Sequence, residues 1–303
     1  MRALKLTFDR FGSLELPPTR RVELPGQGET TVYEMEGPPG APVLFLIHGL
    51  VASSYLNWFP AFPALAERFR VVATDLRGHG RAMPVRRFRL EDCADDVAAV
   101  AEAIGIESCI VVGYSLGGPV AQLVWRRHRD LVAGMVLCAT SRNFGGTARE
   151  RYFFATLPAL VAGIRLVRRG PPLERPEVEL GDDALVARWA MEELRRTNPS
   201  AALQAMNALG RFTSHQWIGD VDVPTAVVVT TRDRFVATSR QLKLARAISG
   251  ASTHPVHAGH AACGLAPRRF VPALVEACES VASRLRERQG AGPAKLGADA
   301  EGA

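Results

Sequence analysis

The chain has 303 residues, 47% of them hydrophobic and 22% charged, with a formal net charge of +6. That length and balance are ordinary for a globular chain with one large core. No apolar run is long enough to form a membrane-spanning helix. The excess charge is mostly Arg. It would suit an acidic partner or an anionic membrane surface. No aromatic-interleaved basic motif accompanies it, so solvated helix faces are expected and nucleic-acid binding is not.

Residues 1–19 are weakly patterned and read as a lead-in. Met1 to Phe11 lacks a signal-peptide core, so a reducing cytoplasm is the expected compartment. Arg21–Leu24 and Thr31–Met35 alternate around Gly26-Gln27-Gly28 and predict an antiparallel hairpin at a sheet edge. Val43–Ile47 is a continuous apolar run, a strand buried on both faces, closed by His48-Gly49-Leu50. Phe62–Phe69 predicts a short helix. Val71–Thr74 predicts the next buried strand, ending in the turn Asp75 to Gly80. Ala94, Val97, Ala98, Ala101 and Ile104 keep helical spacing until Gly105. A strand at 110–114, a helix to about His128 and a strand at Met135–Ala139 follow.

The alternation of strand and helix lapses at about Ser141. From there to about Trp217 the pattern is helical, over Arg149–Val167, Asp183–Arg196 and Ala201–Arg211. Strands return at Thr225–Val229 and Thr253–Val256, separated by a helix near Arg240–Ile248. A last helix carries Phe270, Leu274, Cys278, Val281 and Leu285 on one face. This predicts an α/β fold with a mostly parallel central sheet, helices on both faces, and an inserted helical cap. The expected organisation is a lead-in at 1–19, a core at 20–141 and 218–288, a cap at 142–217 and an unstructured tail at 289–303. The five cysteines have no regular spacing. Cys93, Cys109, Cys138 and Cys278 fall in apolar segments, as small hydrophobes would.

The chemistry concentrates at Gly113-Tyr114-Ser115-Leu116-Gly117, between a β-branched run and a helical segment. A serine attacks a carbonyl only if its oxygen stands clear of its own backbone. A sharp turn exposes it but crowds its neighbours, and glycine relieves the crowding. The following helix turns its free N–H groups and dipole toward that serine, as suits a developing anion.

With His48-Gly49 after the first buried strand, the Asp75–Gly80 turn, the elbow at Ser115, and a late Asp and His in that order, the chain resembles the α/β-hydrolase family over roughly residues 20–288. Asp233 is expected as the acid because it follows the carboxyl end of its strand. Asp220 and Asp222 precede that strand, at the wrong edge. Its lead-in, Thr230-Thr231-Arg232, departs from the Gly usual there. His260 is expected as the base, since imidazole exchanges a proton near neutral pH. The resemblance implies an oxyanion hole from the backbone N–H groups of Leu50 and Leu116. It makes His48 a residue of the loop structure rather than a second base. A substrate pocket is expected from His48, Tyr114, Phe153 and Leu157.

A cofactor is not called for. His254, His257 and His260 are three apart, but a strand and its turn need not bring them together, and no metal site is expected. The leading expectation is a serine hydrolase of a carboxylic ester or related acyl compound with an apolar group. A serine nucleophile argues against relatives that form an alkyl ester on Asp. The same residues would serve an acyltransferase, a carbon–carbon bond hydrolase or a perhydrolase. A non-enzymatic ligand-binding protein could also keep them. A basic membrane-surface module is a further alternative, with membrane association possible but not favoured. The oligomeric state is open.

Overall fold

The structure, a computed structural model, describes residues 16–144 and 183–290. The expected helix at Arg149–Val167, and with it Phe153 and Leu157, lies outside the described residues.

Eight strands form one sheet: β1 (Thr19–Leu24), β2 (Gly28–Met35), β3 (Val43–Ile47), β4 (Arg70–Thr74), β5 (Cys109–Tyr114), β6 (Val132–Cys138), β7 (Thr225–Thr230) and β8 (Ser252–Val256). Their order is β1-β2-β4-β3-β5-β6-β7-β8. The β1–β2 hairpin joins β4 antiparallel, and every pairing from β4 to β8 is parallel. Nine helices accompany these strands among the described residues: α1 (Ser54–Trp58), α2 (Phe62–Ala66), α3 (Leu90–Ala103), α4 (Gly117–Arg127), α5 (Asp183–Arg195), α6 (Pro199–Arg211), α7 (Thr238–Ala247), α8 (Ala262–Leu265) and α9 (Pro267–Gly290).

The continuous apolar runs explain the layering. Successive strand side chains point to opposite faces, so a strand apolar at every position feeds two cores. Phe45 and Ile47 of β3 pack with Val97 of α3 and Val120 of α4 on one face. Leu44 and Leu46 pack with Phe62 of α2 and Leu274 of α9 on the other.

The strand order reverses direction at β3, between β4 and β5. A sheet of this kind opens a crevice at such a switch point, outside the carboxyl ends of its strands. His48 follows β3, Ser115 follows β5, Asp233 follows β7 and His260 follows β8, so all four lie at that edge. Helices α5 and α6 fall between β6 and β7, where strand pattern was missing. Asn198 N–H donates to Gly78 O at 2.9 Å, tying this insertion to the same edge.

The end of the lead-in is anchored. Pro17 O accepts from the Tyr55 hydroxyl at 2.7 Å, and Pro18 O from Glu34 N–H at 3.2 Å. The sequence pattern missed two short helices, α1 and α8. Helix α1 is a single turn held from outside: Ser53 Oγ accepts Leu56 N–H at 3.2 Å, and Asp75 Oδ1 accepts Ser54 N–H at 2.6 Å.

Candidate active site

Ser115 is the first residue after β5, in the turn that leads into α4, with φ of +50°. The turn is as tight as its glycines imply. A Cβ on Gly113 would lie 2.3 Å from Gly117 O, and one on Gly117 would lie 2.2 Å from Ile47 O. Neither contact is tolerable, so side chains are excluded at both positions by backbone that cannot move aside. Ser115 N–H donates to Cys138 O at 2.9 Å, and Thr140 Oγ1 donates to Ser115 O at 2.8 Å. The serine is thereby fixed from both sides. Among the described residues, three non-glycines have φ in the left-handed region: Val51, Ser115 and Ala139. They follow β3, β5 and β6. Backbone strain is concentrated along the edge where the four candidate residues lie.

His260 links the serine to the acid. Ser115 Oγ lies 2.9 Å from His260 Nε2, and His260 Nδ1 lies 2.8 Å from Asp233 Oδ2. A carboxylate only accepts, so Nδ1 carries the proton and Nε2 is left to accept from the serine hydroxyl. The Asp233 side chain is fully buried. Its Oδ1 accepts Phe235 N–H at 2.8 Å and Val236 N–H at 2.9 Å. Its Oδ2 also accepts Thr230 Oγ1–H at 2.7 Å and faces Gln241 Nε2 at 3.3 Å. Burial alone would push this carboxyl up. The His260 hydrogen bond and charge, with the Thr230 and Val236 donors, outweigh burial and hold it below the usual carboxylate range. It therefore stays ionised.

The loop after β3 abuts the serine: a Cβ on Gly49 would lie 3.5 Å from Ser115 Cβ. Gly49 N–H is taken by Asn57 Oδ1 at 3.0 Å. No acceptor among the described residues takes the N–H of Leu50 or of Leu116. Leu116 also sits at the N-cap of α4, where orphan N–H groups are expected.

Two expected pocket residues, His48 and Tyr114, are buried and engaged with the site's backbone. His48 is fully buried. Its Nδ1–H donates to Gly49 O at 2.7 Å and its Nε2 accepts Leu76 N–H at 2.8 Å. Burial pushes its pKa down against the pull of Asp75 and Gly49 O, so it is a neutral brace between two loops. Tyr114 is only 3% exposed. Its hydroxyl donates to His260 O, and its ring packs against Trp58 and Phe270. It supports the histidine from below. Both side chains are used up in holding the site's backbone.

The sequence did not single out Thr230, Gln241 or Phe235. Thr230 occupies the lead-in that departs from the family's Gly, and its hydroxyl is what binds the acid. Gln241 on α7 accepts Thr230 N–H at 2.9 Å and donates to Val236 O at 2.8 Å, closing the loop around Asp233. Phe235 lies edge-on to His260 at 5.4 Å and is 41% exposed, an apolar surface beside the imidazole. Only the pairing of Phe and Val after Asp233 hinted at it.

The remaining candidates are placed elsewhere. Asp222 accepts Trp125 Nε1–H at 3.1 Å at the amino edge of β7. His254 sits with Ser252 and Glu276, and His257 with Thr231, so neither faces His260's partners. The described cysteines are all buried and unpaired with one another.

The family described as alpha/beta hydrolase fold matches residues 42–267. The chain belongs to the α/β-hydrolase fold family. Among its curated relatives, a bifunctional esterase/perhydrolase of Acinetobacter calcoaceticus is 44% identical over 113 residues, 36% of this chain and 41% of that protein. An epoxide hydrolase B of Mycobacterium tuberculosis is 38% identical over 107 residues, 33% of this chain and 30% of that protein. A pimeloyl-[acyl-carrier protein] methyl ester esterase of Neisseria meningitidis is 28% identical over 204 residues, 65% of this chain and 76% of that protein. The match thus spans less than half the length of the first two. A hydrolase structure from Pseudomonas aeruginosa superposes with a TM-score of 0.69 at 24% identity, covering 85% of this chain and 97% of that one. A bromoperoxidase structure from Bacillus anthracis does so with a TM-score of 0.71 at 16% identity, covering 86% and 100%. At such identities these two show that this α/β-hydrolase shares their fold. No helix of the described residues is long and apolar enough to cross a membrane.

Proposed function

We propose that the protein is a serine hydrolase that cleaves a carboxylic ester or closely related acyl compound through an acyl-enzyme. The observation that carries this reading is the unbroken chain of short hydrogen bonds from Ser115 through His260 to a buried, ionised Asp233. His260 takes the Ser115 proton as Oγ attacks the carbonyl carbon. Asp233 keeps the imidazole in the required tautomer and stabilises the cation that forms. The oxygen of the tetrahedral intermediate is held by the N–H groups of Leu50 and Leu116. His260 returns its proton to the leaving group, and water then releases the acyl group by the same steps in reverse order. None of these steps uses a cofactor.

The esterase names among the relatives support an ester over other acyl compounds. The exposed face of Phe235 beside His260 supports a substrate with an apolar group near the scissile bond. The 142–217 insertion is the proposed cap, and its α5 and α6 meet the loops of the carboxyl edge.

Turnover of p-nitrophenyl esters of graded chain length tests the reading. Wild type should hydrolyse them, with kcat/KM rising over the first several carbons, about fourfold per methylene for ~0.8 kcal/mol of burial each. Ser115→Ala should lose about 10⁴-fold or more in rate. Wild-type turnover in that variant overturns the assignment. A folded wild type that reacts with a fluorophosphonate but turns over no ester favours a ligand-binding role instead.

A further inference from the structure

The loop that carries Leu50 does not hold its own shape. Ala52 N–H closes a turn onto Gly49 O at 3.4 Å, and Val51 is the third residue of that turn with φ of +66°. Such a position calls for Gly or Asn. A β-branched residue there is a genuine outlier, kept only when its surroundings over-determine it.

Those surroundings come from the insertion. Thr197, between α5 and α6 and fully buried, donates its hydroxyl to Val51 O at 3.2 Å. Val51 packs with Ala202 of α6, and Leu50 and Leu194 border the same small cluster. At the far end of the loop, Ser53 Oγ donates to Glu193 Oε2 at 2.5 Å. Glu193 is 1% exposed and is held in turn by Arg81 Nη2 at 2.7 Å and Arg196 Nε at 3.1 Å. The near end is held from the core, by Asn57 on Gly49 N–H. Among the described residues, Val51 is thus held from outside its own turn by Thr197 and Ala202 of the α5–α6 segment, and Ser53 by Glu193 of the same segment, 140 positions away in sequence.

We infer that Thr197, with Glu193, is a positioning residue that keeps Val51 in its left-handed conformation and thereby aims the Leu50 N–H at the substrate oxygen. The inference rests on the hydrolase reading given above. Rotation of Val51 into an ordinary conformation opens the Gly49–Ala52 turn, and with the turn open the Gly49–Leu50 peptide, which carries that donor, is no longer held in line. Binding of the ground-state ester depends little on the donor, whereas the tetrahedral intermediate depends on it strongly.

The test compares Thr197→Val, which keeps the shape and removes the hydroxyl, with Thr197→Ser, which keeps the hydroxyl. Ser53→Ala cuts the Glu193 contact from the loop side and serves if Thr197→Val does not fold. The readouts are kcat and KM on p-nitrophenyl acetate, Ki for an aryl trifluoromethyl ketone, and the thermal midpoint. Loss of an oxyanion donor costs about 10²–10³ in kcat, and a misaimed donor should cost about tenfold or more. Thr197→Val should lower kcat by at least that factor with KM within twofold. Ki should rise by the same factor, since the ketone adduct needs the same donor. Thr197→Ser should stay near wild type in both. Wild-type kcat and Ki in a folded Thr197→Val protein overturn the inference while leaving the hydrolase reading intact. A loss that Thr197→Ser shares, or that appears only in KM or the thermal midpoint, also overturns it. Ser115→Ala is assayed alongside: if it retains turnover, the hydrolase reading fails and this inference fails with it.

Discussion

Asp233 shows how much of a site can rest on one residue's surroundings. Asp222 carries the same carboxylate, yet it accepts Trp125 Nε1–H at the opposite edge of the sheet. Asp233 accepts from His260, Thr230 and two backbone N–H groups. An amide in its place would present its own N–H groups to some of these donors and would no longer fix His260 with Nδ1 protonated. Asp233→Asn should therefore lower kcat on p-nitrophenyl acetate by about 10⁴, the magnitude known for such a change in a serine triad. Asp222→Asn should leave kcat within a few fold. An Asp222→Asn loss equal to that of Asp233→Asn would contradict the assignment of the acid.

At the scale of elements, the glycines of the elbow and those of ordinary helices should respond oppositely to a methyl group. Gly117→Ala puts a Cβ 2.2 Å from Ile47 O, backbone of the central strand β3. Overpacking of that kind costs ~1–3 kcal/mol or more, so its urea midpoint should fall well below wild type. Gly210, near the end of α6, has nothing within 4 Å of an added Cβ. Gly210→Ala should raise stability by ~0.5–1 kcal/mol. Equal effects of the two substitutions would contradict the tight turn at Ser115. The same elements show what was readable from the sequence. Strands β3, β5 and β7 announce themselves as unbroken apolar runs, because both faces are buried and every side chain reports it. Helices α3 and α9 announce themselves by long periodic stripes. Helix α1 does not, because its single turn is held by Asp75 on Ser54 N–H and by its own Asn57 on Gly49 N–H, contacts made only in the folded state. For the same reason Ser115 and His260 could be placed from motif and order, whereas Thr230 and Gln241 could not. Their role depends on a loop that closes around Asp233, and polar residues in a loop carry no periodic signal. The contact of Tyr114 with His260 O was no more legible, because proximity in sequence to the reacting residues says nothing about which side of the backbone a side chain takes.

For the whole molecule, the buried histidines predict how stability depends on pH. Burial, and then the nearness of the His48 ring, push His79 down to about 3, and burial lowers His48 as well. The unfolded chain binds these protons near pH 6.5, where the folded chain does not. Stability from the neutral rings is therefore present above about pH 6.5 and is lost as pH falls toward the folded values, at about 1.4 kcal/mol per unit for each ring. Asp233, depressed rather than raised, adds its loss only below the ordinary carboxylate pKa of about 3.9. Urea unfolding between pH 7 and pH 5 should thus weaken steadily, and His79→Gln should flatten the slope by about one proton. An unchanged slope in His79→Gln would contradict its burial as a neutral ring.

The central claim, that Ser115 is the atom that attacks, is tested most directly by catching the acyl group on it. Wild type, Ser115→Ala and His260→Ala are each mixed with a p-nitrophenyl ester, quenched in acid within the first turnover, and mapped by peptide mass spectrometry. The account requires the acyl mass on the peptide containing Ser115 in wild type, none in Ser115→Ala, and slower formation in His260→Ala. Ester turnover with no acylated Ser115 peptide, or an acyl group carried by another residue, would contradict it.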